Sequence, residues 1–418
     1  MIVVLLLMLT AGLNAPSTAQ ADDGRCLRFG KRDGARAIVV ARRGTDLRAA
    51  VLRGRQDGTG PVVVRPSRQP CRVAFWVSAD GYLTVPAWEG SIRSDSTRID
   101  GLVAAADVAD AVHGSDMLHP GGDADVSELR SRLDRTQDGR LPARLVLVGI
   151  LLGLALLAPR RALVAGAAAV AAALVVSALG WTSVVAFGAL TLLGSLAPRR
   201  ALWLFFPAYL VVLVLSPETQ SLALLGPRPD AGGRFYGVTT DIETLLLAPA
   251  LVLGLAAAPL VVLLVAWSRA GADGGGALVF LSAYAWLVAA RVTSNRLLLG
   301  VGAAVAIVAV VLAFFALDAV TGGSSHVTKT VGDGPGAVWD ALAHRWSVSW
   351  HDATATTART ILDVILLAAL VWIATRSPRR RLFDAFLVGI AVSLIVNDTP
   401  HDVLLFGSLQ ALALRRAG

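Results

Sequence analysis

From residue 141 to residue 418 the chain is a near-continuous series of apolar runs broken by short polar clusters, whereas residues 22 to 140 are polar and charged. This asymmetry restricts the fold more than any other feature. A bilayer core asks for roughly 20 apolar residues per helix. Backbone groups left unsatisfied in lipid are costly, so helices are the spanning form here. The alternating pattern of an outer-membrane barrel is absent. Composition agrees, with 55% of residues hydrophobic, 16% charged and only 6% aromatic. A soluble domain is nearer half apolar and a quarter charged, which argues against an ordinary cytosolic enzyme. The expected fold is mostly α: a polytopic helical membrane bundle of about nine crossings plus one re-entrant or half-helix. A small α+β extracytoplasmic N-terminal domain precedes it.

The amino terminus reads as an export signal over residues 1–21. Ile2 to Leu13 is apolar but too short to span comfortably, and Ala19-Gln20-Ala21 has the small-x-small form of a cleavage site. As an uncleaved anchor, the segment would still place the next domain outside the cytoplasm. Residues 22–140 then form an exported α/β domain. Ala37–Ala41, Pro61–Val64 and Val73–Val77 read as short buried strands, and Gly101–Val112 as a helix. The chain's two cysteines, Cys26 and Cys71, both fall here. Outside the cell a disulfide is the natural reading. Between Arg25 and Arg72 there are thirteen Lys or Arg residues against Asp33, Asp46 and Asp57. Such a basic surface could face anionic lipid or a cell-wall polymer, or simply be solvated; nucleic acid is not an expected partner.

Candidate spans are 141–158, 162–180, 181–197, 201–216, 243–267, 277–290, 297–320, 360–375, 382–396 and 402–414. Arginines close to helix ends stay cytoplasmic, and here they cluster at 160–161, 199–200, 291 and 296, 376–381 and 415–416. If all ten segments crossed, the later clusters would lie outside. If one segment between 217 and 290 does not cross, every cluster becomes cytoplasmic. The expected exception is 277–290, which is short and comes directly after the glycine-rich Gly271–Gly276. This parity puts the loops 217–242, 321–359 and 397–401 on the extracytoplasmic face.

Those three loops carry the candidate chemistry. In the first, Arg234 offers bidentate anion binding, Tyr236 suits the membrane interface, and Glu243 lies beyond them at the mouth of an apolar helix. Thr239, Thr240 and Asp241 can be read as helix caps, but capping does not account for Glu243. In the second, His326 lies among glycines and hydroxyls as a candidate metal ligand or proton acceptor, ahead of an amphipathic stretch with Trp339, Trp346 and Trp350. In the third, Asn397, Asp398, His401 and Asp402 surround Pro400 at a break between apolar segments, where a cation or substrate can be held. The plain alternative there is a hairpin turn with Asp398 as cap. Glu243, His326, Asp398 and His401 are thus the candidate acid, base or metal-ligand groups, and Arg234, Tyr236, Asn397 and Asp402 the candidate substrate contacts. Asp318 is a further intramembrane carboxylate. No cofactor is specified, and phosphate-cradling, dinucleotide, HExxH and GxSxG motifs are absent.

The segments GGRFYGVTTDIE, GADGGG, GGSSHVTK and SLIVNDTPHDV together resemble a poorly characterised group of polytopic actinobacterial membrane proteins. Larger relatives of that group carry an exported domain similar to the alkaline phosphatase superfamily, and Ser94–Asp107 resembles the carboxy-terminal part of such a domain. The likeness implies a non-catalytic remnant here, because no nucleophile in context and no Asp/His metal cluster accompany it. Three functions stay open at this point: an envelope enzyme or enzyme-like factor at the outer face, an ion- or proton-coupled transporter, and a non-catalytic envelope-assembly scaffold.

Overall fold

The computed structural model describes strands at 35–40, 62–64, 73–77 and 83–86, residues 92–104, 107, 118–122, 124–227, 235–292, 347, 349–351, 353–354, 356–376, 380–397 and 399–418. Cys26, Cys71, the leader, Arg234, Asp318, His326, Trp339, Trp346, Asp398 and the candidate span 297–320 lie outside the described residues. The chain divides into two compact units, Met1–Gly139 with Leu215–Tyr236, and Arg140–Val214 with Gly237–Gly418.

The first unit holds a five-stranded sheet of order β2-β3-β4-β1-β6, built from β1 (Ala35–Val40), β2 (Val62–Val64), β3 (Val73–Val77), β4 (Leu83–Pro86) and β6 (Leu102–Ala104). A separate two-stranded pair joins β5 (Ile92–Ser94) and β7 (Leu118–Pro120). The three expected strands are present. The expected helix over 101–112 is not what forms at its start: Leu102–Ala104 pairs in parallel with β1, Val39 opposite Val103. Both Leu102 and Val103 are completely buried, and a short apolar run of this kind reads equally as helix or buried strand. The segment 215–236 belongs to this unit because Leu222 and Phe235 join Ile99, Leu102 and Leu133 in one apolar cluster.

The second unit is helical. Its elements are α1 (Val126–Leu157, from Arg140 on), α2 (Pro159–Ala178), α3 (Val184–Ser195), α4 (Leu202–Leu215), α6 (Thr240–Leu253), α7 (Ala258–Ala266), α8 (Gly274–Val292), α9 (Thr357–Arg376), α10 (Arg381–Val396) and α11 (Pro400–Ala417). The short α5 (Pro217–Ser221) lies in the first unit. Among the described residues, four helices are long and apolar enough to cross a membrane: α1, α2, α8 and α9. Their exposure differs. The apolar window of α9 is only 17% buried, whereas that of α2 is 78% buried. Exposed Ile361, Leu362, Val364, Ile365 and Val371 on α9 form the unbroken apolar surface that water disfavours and hydrocarbon accepts. The helices α3 and 199–215 form one strongly bent pair, at 115°.

At the centre sits α6, buried from Asp241 to Leu251 and broken by its own sequence. Pro249 has no N–H, and its ring blocks the carbonyl four residues back, at Leu245. Gln410 on α11 makes the repair. Its Nε2 donates to the Leu245 oxygen at 2.9 Å, and its Oε1 accepts from the Ala248 N–H at 3.1 Å. On α2, Gly166 leaves room for this arrangement, since a Cβ there would sit 2.0 Å from the Leu245 oxygen. The helix ends at Gly254, with φ +77°, and the Ala250 carbonyl exposed by that break accepts from the Tyr284 hydroxyl at 3.0 Å.

Beyond Gly254 the chain turns back through a 3-10 turn (Leu255–Ala257) and α7. The two ends of this hairpin meet, because the Val238 N–H donates to the Gly271 oxygen at 3.0 Å. The approach demands glycine: Gly237 has φ +86°, and a Cβ on it would stand 2.1 Å from that oxygen. The apolar run 243–267 therefore starts and finishes at one level. By contrast, α8 is 19 residues long, five more than the fourteen apolar residues of 277–290. The segment expected to stop short, 277–290, thus lies in a helix long and apolar enough to cross a membrane, whereas the run 243–267 folds into the short-limbed α6–α7 hairpin.

Replacing Gln410 with Leu strands the Leu245 carbonyl and the Ala248 N–H. The purified protein should lose about 1–3 kcal/mol for each buried group left unpaired, read as a lower thermal midpoint in detergent; an unchanged midpoint would show that Gln410 is not the repair.

Candidate functional site

The second unit has two chemically distinct ends, and the direction of each helix assigns its residues to them. At one end gather Arg160, Arg199 and Arg380, which line a common cavity with Val252 from the carboxyl end of α6. Arg416 joins them through the neighbouring cavity with Arg160 and donates to the Leu156 oxygen at 3.0 Å. The Arg415 guanidinium lies 4.9 Å from the Trp372 ring centre, which brings the last turn of α9 to the same level. Acidic and amide side chains gather at the other end, where α6, α8 and α11 begin.

The first cluster there is an ion triad. Arg144, one turn into the apolar part of α1, donates through Nη2 to Asp241 and through Nη1 to Asp402 Oδ1 at 3.0 Å. Asp241 is in the first turn of α6 and Asp402 in that of α11, where a carboxylate also meets the positive end of the helix. All three side chains are largely buried. His401 stands beside them, its Nε2 3.4 Å from Asp402 Oδ1. The N-caps are Thr239 and Thr399, yet neither side chain bonds the backbone it precedes. Both hydroxyl oxygens are buried with no hydrogen-bond partner. Thus the capping expected of Thr239 and Asp241 is not how they are used: Asp241 is committed to Arg144, and the Thr239 hydroxyl is unengaged.

The second cluster surrounds Glu243, which has no exposed surface. Its Oε1 accepts from the Ser393 hydroxyl at 3.0 Å and its Oε2 from Asn397 Nδ2 at 2.9 Å, while Asn397 also donates to Ser393 Oγ at 2.8 Å. Asp273 is close enough to repel it electrostatically. That proximity comes from the glycines: the Gly237–Gly271 contact brings the starts of α6 and α8 together, and Gly276 leaves space for the Asp273 carboxylate, 2.5 Å from where its Cβ would be. A carboxylate buried among neutral donors and beside a second acid is expensive to hold in its charged form.

Of the residues that the sequence singles out, Glu243 and Asn397 are hydrogen-bonded partners, and His401 and Asp402 belong to the adjoining triad. Tyr236 lies in the first unit instead, its ring 3.7 Å below the Arg98 guanidinium and its hydroxyl accepting from Arg98 at 3.0 Å. Arg98 holds φ 55° there, an uncommon conformation for a side-chain-bearing residue. Sequence reasoning missed Arg144, Asp273 and Ser393. Arg144 carried a usable signal, since an arginine inside an apolar helix needs an acidic partner. No group of three metal-binding side chains occurs among the described residues. No family model matches the chain, and neither does any curated protein or solved structure.

Removal of Arg144 alone leaves two buried carboxylates without their cation. Arg144→Met should cost about 3–5 kcal/mol in the thermal unfolding of the purified protein. Adding Asp241→Asn and Asp402→Asn should restore most of that loss; if the triple variant is no better than Arg144→Met, the triad is not an electrostatic unit.

Proposed function

We propose that the chain is an integral, multi-pass protein of the plasma membrane whose extracytoplasmic-facing polar centre binds a proton or small cation at Glu243, as an ion- or proton-coupled transporter. The observation that carries this reading is Glu243 itself. It has no exposed surface, is bonded by two neutral donors, and adjoins a second acid rather than a base. Such a group is stable when it holds a proton or a cation, and uptake and release of that charge is what coupling requires. The break at Gly254 supports it too, because discontinuous helices frame ion sites in transporters. A substrate large enough to be an envelope intermediate cannot touch a side chain with no exposed surface.

In this proposal the chain crosses about nine times, with the α6–α7 hairpin as the re-entrant element and the arginine end in the cytoplasm. Residues 1–21 export the N-terminal domain 22–140, Cys26 and Cys71 are bridged, and its basic surface faces anionic lipid or wall polymer. The resemblance to polytopic actinobacterial proteins belongs to the same reading. An enzyme acting on an envelope or lipid-linked substrate is the second reading, favoured by His401, whose ring keeps 18% of its surface exposed beside Asp402. A scaffold role finds no support in polar residues that converge instead of scattering.

The test is infrared difference spectroscopy of the full chain in liposomes as pH is changed, together with ion flux. A protonated-carboxyl band that disappears in Glu243→Gln, with flux lost and the thermal midpoint retained, is the expected result. Unchanged flux in Glu243→Gln, or activity lost only in His401→Gln, would remove the coupling role and favour the enzyme.

A further inference from the structure

The arginine end of the second unit holds a cavity of about 460 Å³, within the roughly 300–1,000 Å³ range of small-molecule sites. Three arginines from separate segments line it: Arg160 in the first turn of α2, Arg199 in the turn before α4, and Arg380 at the N-cap of α10. Its other walls include the apolar Leu163, Val252, Phe383 and Leu414, together with Gly418 beside Arg380. A second cavity of about 370 Å³ adjoins it, sharing Arg160 and adding Arg161 and Arg416.

Two features of these arginines run against local stability. Each of the three sits at the start of a helical segment, where the backbone dipole is positive and a cation is disfavoured. The first turn of α2 and the 199–201 turn contain no acidic residue to offset them. None of the three makes an ion pair with a described residue. An arrangement that gathers exposed like charges on helix ends where the dipole opposes them, around a partly apolar hollow, offers an anion a site.

We propose that this cavity binds the phosphate of an anionic phospholipid from the adjoining leaflet. Guanidinium groups take phosphate oxygens bidentately, and basic pockets between spanning helices on the cytoplasmic side suit anionic headgroups. The apolar walls select a lipid over a soluble ion, because they give the first carbons of the acyl chains a surface that free phosphate cannot use. The leaflet assignment rests on the membrane placement proposed above. The binding chemistry does not.

The purified full chain, titrated in neutral detergent with phosphatidylglycerol, with phosphatidylcholine of the same chains, and with inorganic phosphate, tests the assignment through its thermal midpoint. Phosphatidylglycerol alone should raise the midpoint. Its apparent affinity should fall about fivefold for each of Arg160→Gln, Arg199→Gln and Arg380→Gln, and Arg200→Gln with Arg381→Gln, outside the cavity lining, should leave it unchanged. Equal stabilisation by both lipids, or full affinity in the triple cavity variant, overturns the site. Equal stabilisation by inorganic phosphate overturns the lipid and leaves a soluble anion. Labelling of Arg200→Cys with a membrane-impermeant reagent in intact cells reads orientation separately, so an error in placement is distinguishable from failure to bind.

Discussion

A proline in the middle of a fully buried helix sets the demands that the rest of the second unit meets. Pro249 removes one hydrogen bond from α6 and displaces the Leu245 carbonyl, and Gly254 ends the helix before the Ala250 carbonyl can be used. Leu245, Ala248 and Ala250 are all fully buried. The amide of Gln410 and the phenol of Tyr284 bond these groups, which fixes α11 and α8 against α6 in one register. Gly166 permits α2 to approach from another side. Backbone satisfaction thus chooses the neighbours of α6, and apolar packing fills the space between them.

With α6 so held, its amino end becomes the meeting place of three helix starts. The dipoles of α6, α8 and α11 all present their positive ends at that level, which favours Asp241, Asp273 and Asp402. Arg144 neutralises two of these acids. Glu243, in the same first turn as Asp241, is instead bonded by Ser393 and Asn397. The same chain directions put arginines at the opposite end, where the starts of α2 and α10 repel them. One end of the bundle therefore holds acids that backbone dipoles stabilise, and the other holds arginines that the dipoles oppose at the starts of α2 and α10 and favour in the last turns of α9 and α11.

Much of this could be read from the sequence, since apolar run lengths and arginine positions obey simple energetic rules. Arginine parity led to the expectation of one non-crossing element between residues 217 and 290, placed at 277–290. The folding of 243–267 into a hairpin was hidden because hydropathy sums side chains and ignores the backbone. The run 243–267 is apolar enough to pass for a single span, and only Pro249, Gly254 and Pro259 hinted at a fold within it. Glu243 and Asn397 were legible as polar groups without a cheap solvent, but their pairing depended on α10 running antiparallel beside α6. Arg144 was overlooked because it lies near the start of an apolar run, where an arginine is ordinarily free to reach water. Leu102–Ala104 was mistaken for helix because three residues carry no period.

The order of synthesis gives the α6–α7 hairpin a peculiar history. Its limbs, 14 and 9 residues long, are each shorter than the roughly 17 needed to cross alone. The amide that completes α6 arrives only with residue 410, after most of the polypeptide has left the ribosome. In the membrane placement proposed above, the hairpin has no stable berth in lipid until then, so its final seating waits on α11. A chain cut short before α11 would lose more than its tail: Asp402 would go with it, and the segment that presents Asp241 and Glu243 would never settle.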